Sequence, residues 1–330
     1  IKHTTKNIWL PLDNSTGMAN ATLDLADGCT ATNVSKTFTI GKLTGKGSLA
    51  HPTSNFQNQS SVSGSNTWKV GNNLENGDFT FEGTITDAGG SNKANFEKIG
   101  TCTMTVKGAW KNSGSVKISD GTIKITGASV SLGTGALSLA EGATLSGSSA
   151  SALKNSSVII NGTLMPNVTD DTALGKIVFS NQNVNISSTG TLRLNISNAS
   201  TSASTTSGDC IRNINALTID GTISLHFLDY VPSIGDEIRL WTGVKSFTGK
   251  PTIICDDSNI ILDASRLSEG VLVVKSTDAS GIDTILADDN DASKIYTVDG
   301  KYVGKTLKAL PKGIYIRNNK KINKKINKYY

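Results

Sequence analysis

One short phrase recurs along the stretch GSVKISDGTIKITGASVSLGTGALSLAEGATLSG, residues 114–147. Most repeats open on glycine beside Ser, Thr or Ala and continue with two apolar residues separated by one other residue. The pairs are Val116 and Ile118, Ile123 and Ile125, Val130 and Leu132, and Leu137 and Leu139. This alternation predicts strands with one buried face, and glycine suits corners with positive φ. Repetition at short intervals favours stacked structural repeats.

Strand-like alternation covers most of the chain, and helical periodicity is almost absent. We therefore expect an all-β fold, a parallel β-helix in which coils of ~20 residues or slightly more stack at ~4.8 Å. About ten coils would give a body roughly 50 Å long. An antiparallel sandwich also alternates, and it is the repetition that favours the solenoid.

The positive charge is concentrated at one end of the chain. Residues 301–330 carry ten of the 32 Lys and Arg residues and no acid, which leaves residues 1–300 with a net charge of −5. The basic character is therefore a property of the tail, and we expect no nucleic-acid partner. No apolar run approaches the ~20 residues of a membrane-spanning helix, so no transmembrane segment is expected.

Four cysteines, Cys29, Cys102, Cys210 and Cys255, show no C-x-x-C spacing. A zinc or iron–sulfur site is therefore not expected. Four cysteines allow three disulfide pairings, and small buried apolar residues are at least as good an interpretation. The chain begins IKHTTKNIW without Met or signal peptide, which indicates a fragment of a longer precursor or a trimmed mature form.

Composition divides the chain into four parts. Residues 1–37 are interpreted as a partial coil or severed edge, and residues 38–276 as the repeat body with a terminal cap over about 217–276. Residues 277–293 form a linker, and residues 294–330 a small hairpin module with a turn at Asp299-Gly300. The low-complexity run SNASTSASTTSGD, residues 197–209, is read as a surface insertion.

Two stretches resemble known modules of exported proteins. The segments at residues 68–87, 96–108 and 114–125 resemble the autotransporter-associated β-strand repeat, and residues 229–274 resemble the closing module of such passenger domains. The matching residues are Lys98, Gly100, Met104, Val106, Gly108, Gly121, Thr122, Ile123, Phe247, Gly249, Asp263, Ser265, Leu267, Gly270 and Leu272. The chain departs from the repeat at Cys102, where glycine is usual.

The tail from about residue 281 is similar to the C-terminal surface-sorting tails of Bacteroidetes proteins, as in type IX secretion. IYTVDGKYVGK and LPKGIYI carry the resemblance. The resemblance implies an outer-membrane export machinery as partner of the tail, and a location at the cell surface or outside the cell.

No catalytic constellation emerges from the sequence. His3, His51 and His226 lie far apart, and no zinc-protease, P-loop or nucleophile-elbow motif is present. Glycosidases need two carboxyl groups ~5–10 Å apart, and adjacent acids on one strand, such as Asp256 and Asp257, point to opposite faces. We therefore predict no catalytic residue, no cofactor and no metal, and read the acidic run at 288–291 as a solvated linker.

Two pairs of residues are candidate contact or modification sites. Trp68 and Trp110 are separated in sequence by nearly the length of two coils, and would stack on sugar rings if both were exposed, although packing in the core is favoured. Asp171-Thr172-Ala173 and Asp283-Thr284-Ile285 resemble Bacteroidetes O-glycosylation sites, which makes Thr172 and Thr284 candidates for a glycan.

The expected function is that of a non-catalytic passenger or scaffold at the cell surface, with adhesion or contact to surface or host glycans along its exposed columns. The alternative is the non-catalytic C-terminal part of a polysaccharide-degrading enzyme, or a β-helix that acts as a lyase or hydrolase itself. A cleft with clustered carboxylates and Lys or Arg would favour the enzyme. A smooth Ser, Thr and Asn face would favour the scaffold.

Overall fold

The chain folds as an all-β parallel β-helix with an antiparallel cap and a small C-terminal antiparallel sheet, as the repeated alternation predicts. The computed structural model describes residues 2–3, 7–10, 18–33, 36–51, 64–74, 77–88, 91–167, 174–277, 294–304, 306, 310–311, 313–317 and 320–324. No helix within these ranges has the length and apolarity needed to cross a bilayer.

Sheet 1 has eleven parallel strands and runs through the whole body. Its strands, in order, are Lys2–His3, Thr22–Leu25, Lys42–Gly45, Phe79–Phe81, Thr103–Val106, Thr122–Gly127, Thr144–Ser149, Thr163–Met165, Thr191–Ile196, Thr222–Phe227 and Thr252–Cys255. Each coil contributes one strand, so the described body has eleven coils and a length of about 48 Å at the usual strand spacing.

Sheet 2 forms a second wall of the coil. Its strands are Thr37–Ile40, Asn66–Val70, Ala94–Lys98, Val116–Ile118, Leu137–Leu139, Val158–Ile160, Lys176–Val178, Asn183–Ile186, Cys210–Ile219 and Trp241–Thr248. A third wall consists of the strands Asn7–Leu10, Thr30–Asn33, Ser48–Ala50 and Thr84–Thr86, and of the pair Ala109–Trp110 and Ser131–Leu132. The repeated phrase at residues 114–147 thus forms five strands, over nearly two coils.

Inward columns of apolar side chains fill the coil. In sheet 1 one such column is completely buried over six coils: Met104, Ile123, Leu145, Leu164, Leu192 and Ile223. Each of these side chains stabilises the fold by about 1.5–3 kcal/mol through burial. All of them belong to one continuous cluster that extends from Leu10 to Val274.

Buried asparagines complete some of the corners. The Asn112 side-chain amide donates to the carbonyls of Ala94 and Gly114, and the Asn155 amide donates to those of Leu132 and Gly135. Since corners leave backbone carbonyls without a strand partner, these amides supply the hydrogen bonds that burial requires.

The cap is a three-stranded antiparallel sheet of Glu237–Arg239, Ile261–Asp263 and Val271–Ser276, with the 3₁₀ helix Leu267–Glu269. Gly270, at φ 79°, follows this helix and packs against the indole of Trp241 in the last coils. Parallel coils continue to Cys255, within the range that the sequence places in the cap. A covered end protects a solenoid from edge-to-edge pairing.

The C-terminal module consists of the antiparallel strands Ile295–Thr297, Tyr302–Gly304, Gly313–Arg317 and Lys320–Lys324. Gly300 has φ 84° and donates its N–H to the Thr297 carbonyl, so the hairpin turn predicted at Asp299-Gly300 is confirmed. The linker expected at 277–293 lies, apart from residue 277, outside the described residues.

Candidate functional site

Trp68 and Trp110 are core residues, and the condition for glycan stacking by them is not met. Their exposed fractions are 0% and 2%, and they pack against Phe38 and Phe96 respectively. They also lie on different walls, because the residue two coils beyond Trp68 is Val116, whereas Trp110 belongs to the third wall. Coil length varies along the body, so the spacing of the two tryptophans in the sequence does not align them in a column.

The remaining candidates from the sequence fall into three groups. None of the four cysteines forms a disulfide; three of them are buried and Cys255 is partly buried, which agrees with the interpretation of small apolar residues. Thr172 and Thr284, like Asp171 and the acidic run at 288–291, lie outside the described residues. His226 contacts Asp256 through its Nδ1 atom, and no group of three or more metal-ligating side chains occurs within the described ranges.

The outer face of sheet 1 carries an unbroken column of seven threonines, here called the threonine column. It begins each strand of the last seven coils: Thr103, Thr122, Thr144, Thr163, Thr191, Thr222 and Thr252. None of these hydroxyls is hydrogen-bonded to another residue in the described part of the chain. The column therefore presents seven donor–acceptor groups at ~4.8 Å intervals.

The fold does not require threonine at this position. One coil before Thr103 the same position holds Asp78, and two coils before Thr103 it holds Lys42. The register persists although the coil between Thr191 and Thr222 is much longer than the coil between Thr103 and Thr122. The neighbouring outward column of the same seven coils contains two cations and no carboxylate: Thr105, Lys124, Ser146, Met165, Arg193, Ser224 and Ile254.

Glycines hold the threonine column in register. Gly121, Gly162, Gly190 and Gly221 each precede a threonine of the column, and a Cβ at any of them would lie closer than 3.0 Å to a carbonyl oxygen of the neighbouring coil. At these four corners a side chain would meet the backbone of the neighbouring coil, and glycine allows the coils to stack closely there. In the sequence, the repeated Gly-Thr-apolar motif indicates the threonine column.

A second feature appears where the coils become longer. The ten-residue strand Cys210–Ile219 pairs with Lys176–Val178 through its first residues and with Asn183–Ile186 through its last. Trp241–Thr248 continues along both parts. We call the first parts of these strands, residues 176–178, 210–214 and 241–244, the ledge. Two shallow surface depressions of about 230 and 560 Å³ lie along it.

A buried carboxylic acid, Asp209, lies beside the ledge. Its two oxygens accept the backbone N–H groups of Gly175, at 2.6 Å, and of Asn195, at 2.9 Å. Burial raises its pKa to about 7, and the two hydrogen bonds and the charge of Arg193 oppose this rise. Asp209 thereby connects the end of the low-complexity insertion to Asn195, in the strand that precedes the insertion, and to Gly175 of the preceding coil. The sequence gives no signal for it beyond its place at the end of that insertion.

The chain matches no protein-family model, and no curated protein matches it.

Proposed function

We propose that the protein is a non-catalytic β-solenoid scaffold, exported to the cell surface or beyond it, whose regular outer faces contact glycans. The threonine column is the observation that carries this proposal. An uncharged row of hydroxyls that make no bonds to the described part of the chain suits a ligand which is itself rich in hydroxyl groups and repeats along a line.

The other parts of the proposal come from the sequence. The tail from about residue 281 would address the chain to an outer-membrane export machinery, and Thr172 and Thr284 would carry O-linked glycans. The smooth threonine face supports the scaffold over the polysaccharide-degrading enzyme. The two depressions also support it, since cations line them and no carboxylate of the described residues does.

A glycan array tests the proposal. We expect the full chain to bind specific glycans, and the variant Thr144→Val, Thr163→Val, Thr191→Val to bind them at least about tenfold more weakly, because valine keeps the shape of the face and removes its hydroxyls. The matched control removes three hydroxyls from the outer side of sheet 2 with Thr37→Val, Thr39→Val and Thr67→Val, and should bind like the wild type. A silent array, or equal binding by both variants, would contradict the proposal.

A further inference from the structure

The two depressions lie next to each other along the first residues of the same strands. Lys176 lines the smaller one, and Phe179, three residues further along the chain, lines the larger. In the next coil the consecutive residues Arg212 and Asn213 line the smaller and the larger depression respectively. Three residues of strand span about 10 Å, so one short oligomer can occupy both.

The smaller depression is cationic. Lys176 and Arg212 supply its charges, and no carboxylate of the described residues lines it. The nearest acid in sequence, Asp209, faces inward with no exposed surface and is bound to two backbone N–H groups. Because its burial raises its pKa to about 7, it is only partly charged at neutral pH. Lys176 and Arg212 are therefore the charged side chains among the described residues that line this depression.

Arg212 is held in a fixed position. Its Nε donates to Cys210 Sγ at 3.2 Å, and one terminal nitrogen donates to Thr206 Oγ1 at 3.3 Å. The guanidinium has five N–H donors, so others remain for a ligand. A planar carboxylate is the anion whose two oxygens match this fork, and an arginine that is already ordered loses little entropy on binding it.

The larger depression combines amide and apolar groups. Asn181 and Asn213 stand at its corner with φ of 66° and 59°, two of the three non-glycine residues with positive φ in the described part of the chain. Val244 and Ala152 add apolar surface, and Lys245 adds a third cation. A few convergent polar groups beside apolar ones are typical of sites for small ligands, and a sugar ring presents both kinds of surface.

We propose that the ledge binds an acidic oligosaccharide, with the carboxylate of one sugar on Arg212 and Lys176 and a neighbouring ring in the depression beside Asn213. This inference rests on the proposed contact with glycans and names the class of glycan. It uses a different face from the threonine column, so the two can fail separately.

Isothermal titration calorimetry of the full chain with tetragalacturonate tests the site. A neutral galactose tetrasaccharide and its sulfated form serve as comparison ligands. We expect tetragalacturonate to bind more tightly than either and to weaken as salt is raised. Arg212→Gln should weaken its binding at least about tenfold, the range of one lost charge-assisted hydrogen bond. Lys111→Gln, at an exposed position next to the third-wall strand Ala109–Trp110, is the matched control and should leave binding unchanged.

Lys176→Gln keeps the test valid if Arg212→Gln disturbs the fold, since Lys176 is exposed, and it should also weaken binding. The inference is overturned if Lys176→Gln and Arg212→Gln both bind tetragalacturonate like the wild type. Equal binding of the neutral ligand, or tighter binding of the sulfated one, also overturns it. If binding on the array depends on the threonine column but not on Arg212 and Lys176, the proposed function stands and this site does not.

Discussion

Lys98 shows how a single residue supports a corner of the β-helix. It has no exposed surface, and its Nζ donates to the carbonyls of Ile99, Gly100 and Asp120 at 2.8, 2.7 and 3.3 Å. Burial lowers the pKa of this lysine, while Cys102 and nearby carboxylates oppose the shift. The ammonium group therefore satisfies three carbonyls at the turn where Gly100 adopts φ 68°. Lys98 and Gly100 are both among the residues that carry the resemblance to the repeat.

Asp209 predicts a dependence of stability on pH. Its pKa is about 7 in the folded chain against an ordinary value of 3.8. The folded state therefore holds its proton over a range where the unfolded state has lost it. The free energy of unfolding should fall as pH rises from about 4 to 7, by about 1.4 kcal/mol per pH unit at most, and level off above 7.

The variant Asp209→Asn isolates this effect, because asparagine resembles the neutral acid and does not titrate. Urea unfolding between about pH 4 and 8 should show that Asp209→Asn gains stability relative to the wild type as pH rises. A constant difference between the two chains over this range would show that Asp209 has an ordinary pKa.

At the scale of the strand, close stacking of corners decides which glycines are essential. Gly162 has an ordinary φ, and a Cβ there would overlap the carbonyl oxygens of Ala140 and Ala143 in the preceding coil. Gly142, at the corresponding corner one coil earlier, has φ 80° and no atom within 4 Å of an added Cβ. An alanine at Gly162 therefore tests packing against the neighbouring coil, and an alanine at Gly142 tests backbone strain.

We expect Gly162→Ala to lower the free energy of unfolding by about 3 kcal/mol, because the backbone of two coils must separate. Gly142→Ala should cost only about 1–2 kcal/mol, the strain of alanine in the left-handed region. Chemical unfolding of both variants provides the comparison. Equal losses would mean that corner stacking does not control the spacing of the coils.

At the scale of the whole molecule, the sequence predicted those features of the fold that depend on residues close together in the chain. The alternation of apolar residues with a period of two, together with the glycine corners, predicted the strands, the parallel coils and a body of about the observed length. The alignment of Trp68 with Trp110 could not be predicted, because coil length varies and a fixed spacing does not translate into a column. The ledge was missed for a related reason: Arg212, Lys176 and Asp209 come together only through the pairing of longer coils.

The net positive charge of the molecule comes from its C-terminal part. Residues 1–277 contain 21 Lys and Arg and 21 Asp and Glu, so their net charge is zero, and the net charge of +5 arises from residues 278–330. Ile295 and Tyr315 are buried in the C-terminal module but are not members of the core cluster of the body. The buried residues of the module are therefore separate from the core that holds the body together.

Removal of residues 278–330 should therefore leave the fold of the body unchanged and alter its solubility. Thermal unfolding followed by circular dichroism should give residues 1–277 the same midpoint as the full chain, since the cluster from Leu10 to Val274 is intact. Near neutral pH the shortened chain should precipitate at lower concentration, because a net charge of zero removes the repulsion between molecules. A variant that keeps the module but replaces Lys320, Lys321, Lys324, Lys325 and Lys328 with glutamine also has a net charge of zero and serves as the control for charge alone. A lowered midpoint in the shortened chain, with this control unchanged, would show that the module supports the solenoid directly.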